Sequence, residues 1–146
     1  MNTDEARIYE CIGRAIMYAG AIESKINCVL AFEYTKNNTT ENENFTKEIL
    51  ENNMLTLRNK IELLIDITKR HELSLNITKA EFQRFLSLRN KLAHCTVQYD
   101  LKTLKIRMRD KFENVADIEK EVNELGWKIC CELERAFSDI LWGNFE

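Results

Sequence analysis

The sequence predicts a mainly α-helical fold, a bundle of four to five helices with one small β-hairpin ahead of the last helix. Three observations carry that expectation. Apolar side chains recur every three or four positions through most of the 146 residues, the spacing that lines one face of an α-helix. No proline occurs anywhere to interrupt them. Between about 96 and 109 the period drops to two, the repeat of a β-strand.

The first helix is expected from Asp4 to Tyr34, with Ile8, Cys11, Ala15, Ile22, Ile26 and Leu30 in the repeat and Thr3 placed to cap its start. The stretch TKNNTTENEN, residues 35–44, has almost no apolar side chain and collects residues that favour turns, so it reads as an exposed loop. Helical pattern resumes over Phe45–Asn52 and Leu55–Lys69, the second piece burying Leu57, Ile61, Leu64 and Ile65. Residues 71–77 break it. From Thr78, a suitable N-cap, a helix runs to about Ala93 with Phe82, Phe85, Leu86 and Leu92 facing the core. The hairpin follows: residues 96–99, a short polar turn, then Leu104, Ile106 and Met108 alternating with Lys105, Arg107 and Arg109. The last helix spans Ala116–Leu141, carrying Ile118, Val122, Leu125, Ile129, Leu133 and Phe137. Trp127, Trp142 and Phe145 are expected in the core or at dimer contacts.

Composition narrows the class. Hydrophobic residues make up 45 % and charged residues 31 %, which suits one ordinary domain and is too apolar for a disordered chain. No apolar run approaches the ~20 residues that span a bilayer. The start, MNTDEARIYE, is acidic and polar where a signal peptide is basic and then apolar. A single cytoplasmic domain without membrane contact is the expectation. The five cysteines, Cys11, Cys28, Cys95, Cys130 and Cys131, form no CxxC pair, so reduced and mostly buried thiols are expected rather than disulfides or a zinc site.

The net charge of −3 hides an asymmetry. Residues 79–111 hold nine basic side chains against three acidic, a net of +6, while both flanks are acidic. A basic island of this kind could meet an anion such as a nucleic-acid backbone or be an ordinary solvated face.

The one clear chemical signature lies inside that island, in Arg89-Asn90-Lys91-Leu92-Ala93-His94. Cleaving RNA by transesterification needs a group that moves a proton near neutral pH and a fixed cation at the phosphorus centre; His and Arg supply these without metal or other cofactor. No glycine-rich phosphate loop, GxSxG or HExxH competes, and the other histidine, His71, sits in the charged helix end KRHEL. On a regular helix five residues turn the chain ~500°, leaving Arg89 and His94 ~140° apart, so they converge only if the helix ends or tightens just before His94. The pentapeptide LRNKL at 88–92 has an echo, LRNKI at 57–61. Five residues after Arg58 stands Leu63, where His94 follows Arg89, so only the second copy can do proton chemistry.

The segment LSLRNKLAHC resembles the signature of the HEPN family, an Arg with a following polar residue and then a His near the end of a helix in an all-α domain. The resemblance implies a metal-independent endoribonuclease whose Arg and His face each other across a homodimer interface, often in toxin–antitoxin or antiviral systems. Its catalytic pair would be Arg89 and His94, with Asn90 as polar supporter and an antitoxin as a partner protein. The run from GAIESKIN through LRNKIELLIDI to LRNKLAH is also similar to mannitol-repressor-type regulators, which implies instead a dimeric regulatory or interaction module without catalysis.

Two further features bear on the site. Glu23 interrupts the apolar stripe Ile16, Ala19, Ile26, Leu30, and a buried carboxylate needs a partner; Arg89 or another basic group is expected there. Lys105, Arg107, Arg109 and Lys111 put four cations on one strand face, which reads either as a phosphate track toward His94, extending the RNA contacts of Lys91, or as protection of an exposed edge.

Overall fold

The computed structural model describes residues 3–36, 38–52, 54–94, 99–100, 102–108 and 110–143. They form the helices α1 (Thr3–Thr35), α2 (Thr39–Phe45), α3 (Leu57–Arg70), α4 (Lys79–His94) and α5 (Val115–Trp142). Three short strands lie between α4 and α5: β1 (Tyr99–Asp100), β2 (Lys105–Met108) and β3 (Lys111–Asn114). The mainly α-helical class with an antiparallel β element in that place is therefore the fold. The chain divides into two compact units, one of the residues up to Gly20 with Thr78–Ile129, the other of Ala21–Ile77 with the residues from Cys130 on.

In the first unit, Ile8, Cys11 and Ala15 of α1 pack with Leu88 and Leu92 of α4, Ile106 and Met108 of β2, and Val115, Ile118 and Val122 of α5. The strands pair in the order β1-β2-β3, all antiparallel, with Tyr99 opposite Ile106 and Arg107 opposite Phe112. The expected hairpin thus gains a third strand, with β3 pairing along β2 from Lys111 opposite Met108 to Asn114 opposite Lys105. Residues 96–98, expected in the first strand, lie outside the described residues. At Gly126 the α5 backbone lies so close to Tyr18 that a Cβ would come within 2.6 Å of the ring.

The second unit buries Ile22, Ile26 and Leu30 of α1, Ile61, Leu64 and Ile67 of α3, and Leu133, Ala136 and Ile140 of α5. The expected loop at 35–44 is instead mostly helix, Thr35 closing α1 and residues 39–44 lying in α2. The Asn38 side chain accepts the Glu41 N–H at 3.1 Å and starts α2, which passes directly into a π-helical turn, Thr46–Leu50. The residues read as loop formers are also the best N-caps, and here capping wins. The turn is where the second helix was expected from Phe45. The break at 71–77 is present, and Thr56 caps α3 by accepting the Asn59 N–H.

Several sequence expectations need correction. Thr3 is already helical rather than a cap. Ile16 stands 47 % exposed, Trp127 66 % and Trp142 71 %, so none of the three is core; Phe145 lies outside the described residues. Cys11 is buried but Cys28 and Cys131 are exposed, and Cys95 lies outside the described residues. Helix α1 is, by length and mean hydropathy alone, apolar enough to cross a membrane, and 39 % of its most apolar window is buried within the protein.

Candidate active site

Helix α4 carries the Arg89–His94 segment, and its start is fixed by a reciprocal cap. Thr78 Oγ1 accepts the Glu81 N–H at 3.2 Å while the Glu81 carboxylate accepts the Thr78 N–H at 2.8 Å. Glu81 also holds Lys128, and these contacts keep its carboxyl below the ordinary range. Arg84, one turn on, pairs with Glu121, which pushes the guanidinium further up. The line Phe82, Phe85, Leu88, Leu92 is buried, spacing that pins the helix to the core through its last turn.

That anchoring decides where the catalytic candidates stand. Arg89 follows Leu88 and is half-buried; its Nη1 donates to Asn90 Oδ1 at 2.8 Å. Its Nε is buried and has no hydrogen-bond partner among the described residues. Arg7, Arg14, Arg70, Arg84 and Arg135 all hold carboxylates, whereas no described carboxylate bonds Arg89. His94 is exposed in the last turn, with Lys91 half-buried one turn before. The helix neither ends nor tightens before His94, contrary to the expectation, because Leu92 holds its final turn in the core. Within one chain the Arg89 and His94 side chains therefore leave the helix ~140° apart.

The four cations expected on one strand face do not all share it. Lys105 and Arg107 alternate on β2 with buried Ile106 and Met108 between them, and Arg107 is exposed. Arg109 lies outside the described residues. Lys111 belongs to β3, opposite Met108, so it leaves the face that Lys105 and Arg107 share.

Glu23 is paired, but its partner is Lys60, not Arg89. Lys60 Nζ donates to Glu23 Oε1 at 2.6 Å and to the Leu50 carbonyl at 3.0 Å. The lysine side chain is 1 % exposed and the glutamate 41 % exposed, so the ammonium is the buried partner. Sequence reasoning missed Lys60, although it stands in line with Leu64 and Ile67 as Glu23 does with Ala19 and Ile26. Glu23 thus belongs to the support of the second unit. There, too, His71 caps the end of α3 with Nε2 2.8 Å from Glu33 Oε2. Among the described residues no three His, Cys, Asp or Glu side chains gather where they could hold a metal ion.

No protein-family model, curated protein or solved structure matches the chain.

Proposed function

We propose that the protein is a metal-independent endoribonuclease of HEPN type, working as a homodimer in the cytoplasm and suited to a toxin or antiviral role that an antitoxin protein would restrain. The observation that carries this reading is Arg89: a half-buried guanidinium with an orphaned Nε–H, beside Asn90 and five residues before an exposed histidine on the same helix. A buried donor without a partner costs ~1–3 kcal/mol, and a guanidinium turned outward to a phosphate would relieve that. The other arginines that hold carboxylates have no such vacancy.

The chemistry follows from what the two side chains supply. A neutral imidazole takes the proton of a ribose 2′-hydroxyl, and the freed oxygen attacks the adjacent phosphorus. The bond to the 5′-oxygen breaks as an imidazolium returns a proton to it, leaving a 2′,3′-cyclic phosphate and a 5′-hydroxyl. Arg89 meets the charge that builds on the non-bridging oxygens. General acid–base assistance of this kind contributes roughly 10²–10⁴-fold. Base and acid are two roles, and one chain offers one His94 whose side chain leaves the helix well away from Arg89. Two chains about a twofold axis double each group around one cleft, and twofold pairing is the commonest symmetric contact.

RNA incubated with purified protein in excess chelator should be cut to products ending in 2′,3′-cyclic phosphate, and His94→Ala should abolish the cut. Light scattering at micromolar concentration should give twice 17.2 kDa. A clean monomer, or cleavage retained by His94→Ala, would refute the composite site; no cleavage by either protein would favour the regulatory reading.

A further inference from the structure

The nuclease reading treats the small sheet of the first unit as a row of cations, yet the pairing of its strands gives it a more specific surface. In β2 and β3, Arg107 stands opposite Phe112 and Lys105 opposite Asn114. Directly opposed residues of an antiparallel pair project to the same face. Lys105, Arg107, Phe112 and Asn114 therefore share one face, while Ile106 and Met108 fill the core side at 1 % and 4 % exposure. Phe112 is 51 % exposed although a core lies on the other side of its own strand pair.

We propose that this outer face binds single-stranded RNA, one unpaired base stacking on the Phe112 ring while Arg107 and Lys105 meet the neighbouring phosphates. An open aromatic ring bracketed by cations recognises what a single strand offers and a duplex withholds, a free π-face beside a phosphate. Cross-strand neighbours lie ~5 Å apart at Cβ, close enough for the Arg107 guanidinium to reach a phosphate next to the stacked base. Asn114 Oδ1 already accepts the Ala116 N–H at 2.9 Å at the start of α5, which leaves its amide N–H groups to donate at a base edge. The charge fits as well: the 79–111 stretch that supplies both cations carries the net +6 in an otherwise acidic chain. Asp100 shares this face, opposite Lys105 at the β1 side. Its carboxylate already accepts the Thr103 hydroxyl at 2.6 Å and the Lys102 N–H at 3.0 Å, which hold it below the usual carboxyl range. It is engaged with its own turn, and it sits at the far edge from Phe112.

The choice of RNA over other polyanions rests on the nuclease reading, whereas the stacking surface rests on the strand register. The test uses full-length His94→Ala protein, so that cleavage does not obscure binding, with fluorescence anisotropy of a short labelled oligouridine. Phe112→Ala should weaken binding roughly tenfold, the loss of one stacked base, and Phe112→Trp should restore it. Arg107→Gln should weaken binding and lower the salt slope by about 1. A hairpin duplex of A–U pairs should not respond to Phe112→Ala. Equal affinity of Phe112→Ala and its parent for oligouridine, or equal competition by polyglutamate, would overturn the proposal. Because Phe112 is exposed, thermal melting of each variant should match the parent. Phe112-dependent binding with no cleavage by the unmutated protein would sink the nuclease reading and leave this surface standing. Cleavage with binding indifferent to Phe112 would do the reverse.

Discussion

The pentapeptides LRNKI in α3 and LRNKL in α4 are nearly the same sequence put to opposite uses. In the first copy the lysine goes inside: Lys60 is 1 % exposed and held by Glu23 and the Leu50 carbonyl, while Arg58 lies on the surface. In the second copy the leucines go inside, Leu88 and Leu92 at 1 % each, and Arg89 is half-buried with its Nε unmet. The flanks make the difference. The first copy opens its helix just after the cap Thr56, so Ile61, Leu64 and Ile67 downstream set the buried face and Lys60 falls on it. The second copy closes its helix, so Phe82 and Phe85 upstream set the face and Leu88 and Leu92 continue it. A short motif therefore does not choose its own environment. One copy became a satisfied ion pair with its lysine buried, a structural element, and the other kept a guanidinium with an unmet Nε on a helix that ends at a histidine.

The largest effect that would sharpen this contrast is expected at Glu23. Removing it by Glu23→Ala strands the Lys60 ammonium in the core, and chemical denaturation should show a loss of ~3–5 kcal/mol. Lys60→Met, which removes the buried charge itself, should cost much less, ~1–2 kcal/mol, chiefly for the unmet Leu50 carbonyl. If the two substitutions cost the same, the first copy is not an ion pair governed by burial of the lysine. Next in size are the leading leucines. Leu88→Ala should cost ~2–5 kcal/mol, as full burial demands, and Leu57→Ala, half-buried at the matching position, distinctly less. Equal losses would mean that the two registers do not differ as seen.

The helix caps come last. Thr56→Ala and Thr78→Ala should each cost ~1 kcal/mol, but with different pH dependence. Glu81 at the third position of α4 has its carboxyl depressed, first by Lys128 and then by the Thr78 N–H, below the ordinary 4.5. A carboxyl depressed on folding stabilises above its unfolded value and loses that contribution as pH falls through the folded one. Thermal melting below about pH 4.5 should therefore show the gap between parent and Glu81→Gln closing. Asn59 holds the matching position in α3 and does not titrate, so the Thr56→Ala deficit should stay constant over the same range.

The long elements were legible because periodicity and burial agree over many turns: α1, α4 with its Thr78 cap, and α5 end within a residue or two of where the pattern places them. The segment at 35–50 was not legible, since Asn and Thr are at once turn formers and helix caps, and only the bond from Glu41 to Asn38 decides between them. Of the candidate site, the placement of Arg89, Asn90 and His94 on one helix was readable from the motif. The orphaned Nε was not, because it depends on which described side chains fail to reach it. Glu23 announced its need for a cation, but the choice of Lys60 over Arg89 is a tertiary fact. Phe112 went unnoticed because a lone aromatic in KFEN has no partner until strand register sets it against Arg107.

The two copies meet most directly in a cleavage assay on their arginines, with wild type, Arg58→Ala and Arg89→Ala incubated with RNA in excess chelator. Arg58→Ala should cut at the wild-type rate, and Arg89→Ala roughly 10²–10³-fold slower for want of its charge at the phosphorus. Equal rates for the two variants would contradict the assignment of catalysis to the second copy.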